Sequence, residues 1–354
     1  MLIKTRARLG AIAALVAIEE HDAILGAALE KQNLGEALAF SREISSGVLR
    51  HRARLDWTIA PLLKKPLHKL DAPVRAALRL ALYERIELQM HIAVVADEYA
   101  GAMRAFHLKY SVGFVNAVAR RLPDRWRDVH PRWPLAQKLA TEFSHPQWLV
   151  ERWLQQFGES ECVALLETNN GRAPLALRVN TLRANRDEVR NALCERGLKA
   201  RDGSLSPDAI VVEDAGSPLD WPEWTTGKII AQDQAAQMVS LFLKPQPGWK
   251  IADVAAAPGG KTTHLAQLMN DEGEILACDV APGRIKLVQQ NVARLGLKSI
   301  QTRVGDWRKI MESTPEYRRT FDAVLLDAPC LGTGTLRRRP DAKWKKPRSN
   351  SMSW

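Results

Sequence analysis

The stretch Ile251-Ala-Asp-Val-Ala-Ala-Ala-Pro-Gly-Gly-Lys-Thr-Thr-His264 decides the fold. Its apolar start reads as a strand, Pro258-Gly259-Gly260 as a tight turn, and Lys261 onward as the first turn of a helix. The same alternation continues downstream. Strands are expected near 250–254, 274–278, 299–303 and 321–326, and a helix over 282–295 would carry Ile285, Val288, Val292 and Leu295 on one face. Apolar runs joined through amphipathic helices predict parallel strands with helical crossovers, so the chain from about 227 onward is expected to be a Rossmann-like α/β domain.

In such a sheet a ligand binds beyond the carboxyl ends of the strands, and each expected end here carries an acid or a glycine. Pro258, Gly259 and Gly260 let the backbone pass close to a ligand, and the following helix N-terminus offers amide donors. Asp253, just before the turn, favours a ligand with an ammonium group over one dense in phosphate. Gly260-Lys261-Thr262 copies the end of a nucleotide P-loop, but the opening glycine of that motif is replaced by Ala255. Asp279 stands where an acid bonds ribose hydroxyls, and Arg284, one helical turn further on, is placed to orient it. Asp306 is placed to accept from an adenine amine. Each acid read singly is also an ordinary cap or surface residue; together they predict a nucleoside site.

The second rim is Leu326-Asp-Ala-Pro-Cys-Leu-Gly-Thr-Gly334, which contains Asp327 and Cys330. Carbon-5 of cytosine becomes nucleophilic when a thiolate adds to carbon-6, which makes Cys330 a candidate for covalent catalysis. The remaining cysteines, 162, 194 and 278, are far apart and show no metal-ligand spacing. Cys278 reads as core, Cys162 and Cys194 as structural helix positions, and His264 as a packed, neutral residue. A reducing compartment fits this cysteine usage.

The 354 residues hold 51 Lys and Arg against 40 Asp and Glu, a formal net charge of +11 that favours a polyanionic partner. Nucleic acid is the first candidate and an anionic membrane surface the second. No stretch is long and apolar enough to span a bilayer, and the basic, apolar start reads as a first helix rather than a leader. Residues 5–122 carry helical periodicity, with Leu9, Ile12, Ala13 and Val16 on one face and Val74, Ala77, Leu78 and Ala81 on another. Helix starts are expected at Asp71 and Ser111. Arg50, His51, Arg52, Arg54, Lys64, Lys65, Lys69, Arg120 and Arg121 form either a solvated surface or a nucleic-acid face.

From Pro123 the periodicity breaks, and a helix is expected near 146–157. A small mixed domain follows, with strands over 176–182 and 209–213 and a helix over 187–196 ending at Gly197. Arg178 and Asn180 share a strand face and are expected to meet either RNA phosphate or the neighbouring domain. Arg337, Arg338, Arg339, Lys343, Lys345, Lys346 and Arg348 around Trp344 read as a basic patch suited to nucleic acid, or as a frayed tail.

Nearly the whole chain resembles the RsmB-type bacterial members of the Nol1/Nop2/Sun family of rRNA cytosine-C5 methyltransferases. The matches are Gly47-Val-Leu-Arg-His51, Pro73-Val-Arg-Ala-Ala-Leu78, Gly113-Phe-Val-Asn-Ala117, Leu177-Arg-Val-Asn-Thr181, Asp253 to Thr262, and Asp327 to Gly334 with Arg338, Pro340, Asp341 and Trp344. The resemblance implies a multidomain chain: an all-α NusB-like RNA-binding domain over 1–130, linker helices and a small α+β domain over 131–226, and part of a methyltransferase domain over 227–354. It implies S-adenosyl-L-methionine as cofactor, held around Asp253, Pro258, Gly259, Gly260, Lys261, Asp279, Arg284, Asp306 and Asp327. It also implies ribosomal RNA, 16S by family, as partner to a cytoplasmic monomer, without a membrane or a metal. Ala255 stands where many members carry cysteine.

By the same resemblance Cys330 helps release the methylated base, while the attacking cysteine belongs to a Thr-Cys-Ser motif that the 354 residues do not contain. Only four of the seven strands of the family's sheet are expected, the fourth with an exposed apolar edge. Little or no methylation is therefore expected unless Cys330 takes over the attack. The alternatives are an RNA-binding protein without catalysis, a methyltransferase acting on another RNA, or an interrupted coding region.

Overall fold

The computed structural model describes residues 2–328 and 330–345. The chain forms two compact units, one comprising residues 1–172 with 331–354 and the other residues 173–330. The first unit is helical, with α1 (Ile3–His21), α2 (Leu25–Glu30), α3 (Leu38–Ile59), α4 (Ala72–Ile86), α5 (Ile92–Ala105), α6 (Val112–Ala119), α7 (Leu135–Glu142) and α8 (Gln147–Asn170). Helices α1 and α3 to α5 bury a shared core that includes Ile12, Ile44, Leu55, Leu78, Leu80, Leu82 and Met103. Tyr99 lies in that core, its hydroxyl on Glu84, and Glu84 also receives the Arg8 guanidinium at 2.6 Å. A buried carboxylate is tolerated there because a cation and a hydroxyl both meet it.

Helices α4 and α6 start beside Asp71 and Ser111 as expected, yet neither side chain caps its helix. Asp71 instead accepts from the Tyr110 hydroxyl, and Ser111 donates to the Leu108 carbonyl. Helix α7 and the second half of α8 were not legible from periodicity. Gly158, at φ 78°, breaks α8 where the sequence reading stops, and the chain resumes helical geometry beyond it. A second break lies in α3 at His51, whose φ and ψ are −110° and 15°.

The second unit begins with β1 (Leu175–Val179), α9 (Arg186–Glu195), β2 (Lys199–Asp202), β3 (Ala209–Glu213), α10 (Pro222–Thr225) and β4 (Ile229–Ala231). These strands make an antiparallel sheet in the order β2-β3-β1-β4, with α9 packed on it through Val189 and Leu193. Asn185 caps α9 by accepting from the Glu188 amide. The sequence reading placed 228–231 with the following domain; its strand, β4, hydrogen-bonds to β1 in the small sheet.

There follow α11 (Gln234–Leu243), β5 (Lys250–Asp253), α12 (Gly260–Leu268), β6 (Glu274–Asp279), α13 (Pro282–Leu295), β7 (Ile300–Val304), α14 (Trp307–Ser313) and β8 (Ala323–Leu325). The four strands are parallel in the order β7-β6-β5-β8, the Rossmann-like arrangement expected from the sequence. Ile285, Val288 and Leu295 of α13 are buried against Ile251, Ile275 and Ala277, with Val292 partly so. Strand β8 lies at the edge of the sheet, and Val324 and the adjoining Leu326 are 52% and 69% exposed.

Arg178 joins the two layers of this unit. It is fully buried, and its guanidinium donates to Gln267 Oε1, Thr263 Oγ1, the Gly260 carbonyl and Gln232 Oε1. Asn180 similarly donates to the carbonyls of Gly227 and Leu295. Both residues face protein, which removes the RNA-phosphate reading of this strand face. Arg178→Met keeps much of the volume but orphans several buried acceptors. It should lower stability by about 3–5 kcal/mol, measured by urea unfolding; a loss below about 1 kcal/mol would contradict the assigned role.

Candidate functional site

Strand β5 ends at Asp253 beneath the glycine turn. Its carboxylate is 1% exposed; Oδ2 accepts from the Thr262 hydroxyl at 2.7 Å, and buried Oδ1 has no hydrogen bond of normal geometry among the described residues. Burial pushes the group up to about 6, against the opposing pull of Thr262, the Ala255 backbone and Lys261. A carboxylate so placed fits a cationic group brought by a ligand. Gly259, at φ 98°, sits at the start of α12 in a conformation suited to glycine, and a Cβ there would press on Val288 of α13 at 3.3 Å.

The turn is held from several sides. Asn291 donates to the Pro258 carbonyl at 3.0 Å, Arg284 to the Ala257 carbonyl at 2.8 Å, and Arg178 to the Gly260 carbonyl at 2.6 Å. The amides at the start of α12 thus keep a fixed direction, the arrangement that favours an anionic group at a helix N-terminus.

Asp279 ends β6, 3% exposed. Its Oδ1 accepts from the Ala281 amide at 3.1 Å, and Arg284 lies 3.4 Å from Oδ2. Asp306 lies just beyond β7 and caps α14. Arg308 donates to it three times, from its amide at 2.9 Å and its guanidinium at 3.2 and 2.7 Å, and these bonds hold the carboxyl down to about 2. A ligand amine reaching Asp306 would compete with Arg308, a residue whose side chain is 85% exposed and able to swing away. Asp327, beyond β8, is 54% exposed and is paired with Lys261 of α12.

The four acids thus occupy four neighbouring strand ends on one edge of the parallel sheet, with Lys261 bridging the ends of β5 and β8. Cys330 is exposed and follows Asp327 by three residues; Pro329 between them lies outside the described residues. Among the other expectations, His264 is buried and pushed down to about 2, hence neutral. Cys278 and Cys162 are buried, whereas Cys194 is exposed, its thiol directed at the Ala200 carbonyl.

Sequence reasoning missed Thr262, Asn291 and Arg308 as partners of the site. Thr262 carried a usable signal, a hydroxyl one residue after Gly-Gly-Lys in the first turn of a helix. Lys343 and Trp344, assigned to a basic RNA patch, are turned inward: Lys343 is 3% exposed, and the Trp344 indole donates to the Leu49 carbonyl. Lys346 and Arg348 of that patch lie outside the described residues. Among the described residues no helix is long and apolar enough to cross a membrane, and no group of three or more His, Cys, Asp or Glu could hold a metal.

Family models place these features among known proteins. Residues 5–124 match the NusB family, 145–218 the ferredoxin-like domain of RsmF/B-like methyltransferases, and 240–352 the 16S rRNA methyltransferase RsmB/F family. Ribosomal RNA small subunit methyltransferase B of Citrobacter koseri is 35% identical over 311 residues, covering 86% of this chain and 70% of that protein. A probable ribosomal RNA small subunit methyltransferase B of Bacillus subtilis is 30% identical over 361 residues, covering 97% and 78%. The crystal structure of PH0851 superposes with a TM-score of 0.80 at 27% identity, over 99% of this chain and 80% of that one. The chain belongs to the RsmB/F family of ribosomal RNA methyltransferases and has its NusB-like helical domain, small α+β domain and Rossmann-like methyltransferase fold.

Proposed function

We propose that this chain holds S-adenosyl-L-methionine along the carboxyl ends of β5, β6 and β7 and brings the Cys330 loop to a cytosine of small-subunit ribosomal RNA. The observation that carries the reading is Asp253, a buried carboxylate beneath a glycine turn with one oxygen left over for a cation. The substrate class follows from the relatives, whose names specify small-subunit ribosomal RNA. Charge agrees, since a formal +11 suits a polyanion.

In this reading Asp253 receives the ammonium group and the first amides of α12 the carboxylate of the cofactor's methionine moiety. Asp279, steadied by Arg284 and the Ala281 amide, accepts from the ribose hydroxyls. Asp306 takes the adenine amine when Arg308 gives way. The bound cofactor would supply an electrophilic methyl group. Lys261 and Asp327 keep the glycine turn and the Cys330 loop on one rim, so the base is presented to the same edge as the cofactor. These acids form no dense cationic cradle, which favours a zwitterionic nucleoside over a triphosphate.

Methylation at carbon-5 requires a thiolate to add to carbon-6, the methyl to transfer, the carbon-5 proton to leave and the thiolate to be eliminated. Of the four cysteines, Cys330 adjoins the expected rim. We expect this polypeptide to bind cofactor and RNA, with any methyl transfer dependent on Cys330. Incubation with small-subunit ribosomal RNA and labelled S-adenosyl-L-methionine checks this. The expected result is RNA binding that weakens by about tenfold or more between 50 and 200 mM salt, and release of labelled RNA that is lost in Cys330→Ser. Label in released RNA undiminished by Cys330→Ser would remove Cys330 from the reaction, and salt-insensitive or absent RNA binding would remove the RNA reading.

A pH test addresses Asp253. Its carboxyl protonates as the pH falls through about 6, and the neutral form cannot pair with an ammonium group. Cofactor binding favours the charged form, so affinity should be greatest above about 6 and weaken by up to about tenfold per pH unit below it. Asp253→Asn should bind weakly with a flat profile over the same range. Titration calorimetry from pH 5 to 8 measures both, and equal profiles for the two proteins would rule out Asp253 as the cation's partner.

A further inference from the structure

Residues 336–344 belong to the helical unit and are docked within it. Leu336, 1% exposed, joins the apolar cluster of Leu139, Leu149, Trp153 and Leu166. The Lys343 ammonium donates to the Arg50 carbonyl of α3 at 3.4 Å and to Asn170 Oδ1, at the end of α8, at 2.5 Å. Arg337 donates to the Arg172 carbonyl at 2.8 Å, and its guanidinium lies against Gly171, where an added Cβ would stand 3.5 Å from Nη2. These contacts bring Arg50 of α3, Arg172 just beyond α8, and Arg337 to one junction.

The charges at this junction are unbalanced. Arg172 is exposed, and Arg50 and Arg337 are partly buried. The Nε atoms of Arg50 and Arg337 are buried without a hydrogen-bond partner among the described residues. Asp341, the one acid of the docked segment, pairs with Arg339 at 3.5 Å, and Glu43 attracts Arg50 without bonding to it. Burial pushes the Arg50 guanidinium below its usual range, and the charges of Arg172 and Arg337 push the same way, against Glu43 and Tyr83. Elsewhere in the unit buried arginines are matched: Arg8 and Arg79 each meet a carboxylate at 2.6 Å. Arginine does not shed its proton near neutrality, so the repulsion is not relieved by deprotonation. A buried donor without an acceptor and like charges without a counter-ion are both costly, and an anion with several oxygens answers both.

We propose that Arg50, Arg172 and Arg337 form a phosphate site on the helical unit that takes a backbone phosphate of RNA. A phosphodiester carries one negative charge on two free oxygens, which guanidiniums from different elements can share. The site is distinct from the acids at the strand ends, and its residues belong wholly to the helical unit. The identity of the phosphate rests on the ribosomal RNA reading given above; the existence of an anion site does not.

The experiment uses the full chain and two anions. In the first arm, inorganic phosphate is compared with chloride at matched ionic strength. Phosphate should raise the Tm of the parent by about 2 °C or more, and Arg50→Gln and Arg337→Gln should lose the gain. Arg50→Gln removes a like charge and breaks no side-chain hydrogen bond among the described residues, so its Tm in chloride should hold or rise; a purely structural arginine would lower it. In the second arm, binding to small-subunit ribosomal RNA is measured over roughly 50 to 200 mM salt. Each variant should bind at least about threefold more weakly at the lowest salt, with a slope of log affinity against log salt shallower by about 0.7 to 1. Arg50→Lys, which keeps the charge, should keep most of the slope. Should Arg337→Gln fail to fold, Arg50→Gln still decides. A phosphate effect equal in the parent and Arg50→Gln overturns the site, and an unchanged RNA slope overturns its assignment to RNA even where free phosphate binds. A parent that binds no RNA sinks the substrate reading and this assignment with it, while the phosphate arm still reports on the anion site.

Discussion

The proposed cofactor site depends on one buried guanidinium, that of Arg178. Arg178 comes from a strand of the small sheet, yet it holds the Gly260 carbonyl and the Thr263 hydroxyl in the turn from which the site is built. Burial pushes it down to about 9, still high enough to remain charged near neutrality. A cation taken out of water is costly unless its donors are matched, and here four acceptors surround it. The small domain thereby acts as a brace for the glycine turn.

The acids at the strand ends are prepared to different degrees. Asp279 is held by a backbone amide and by Arg284, and Asp253 by a hydroxyl with one oxygen left over. Asp306 is engaged by an exposed arginine that a ligand would have to displace. Fixed dipoles and charges at two ends and an adaptable one at the third suit a ligand whose polar end is anchored before its base is read. The helical unit has its own polar lock, in which a break in α3 is completed by side chains lying almost three hundred residues later in the chain.

Much of this was legible in the sequence because apolar periodicity and strand-end acids are local signals. The runs at 250–253 and 274–279 and the stripe of α13 gave the parallel sheet, and the glycine turn marked the edge proposed for the ligand. Strand β2, Lys-Ala-Arg-Asp, had no apolar pattern; its pairing with β3 comes from the tertiary setting. Helix α8 was cut short because an interior glycine usually ends a helix, and here the axis merely breaks. Lys343 was misread for the general reason that lysine is seldom buried; the oxygens that accept from it, on Asn170, Ser144 and Arg50, are remote in sequence. Arg178 and Asn180 were placed on one face, but whether that face met RNA or protein needed the packing.

The central claim is that separate strand ends act as one cofactor site. Hydrogen exchange of the full chain, with and without saturating S-adenosyl-L-methionine, tests it most directly. The account predicts joint protection of the amides at 259–262, 279–281 and 306–308, with the core of the helical unit unchanged. Protection at one of these segments without the others, or at none while the protein remains folded, would contradict it.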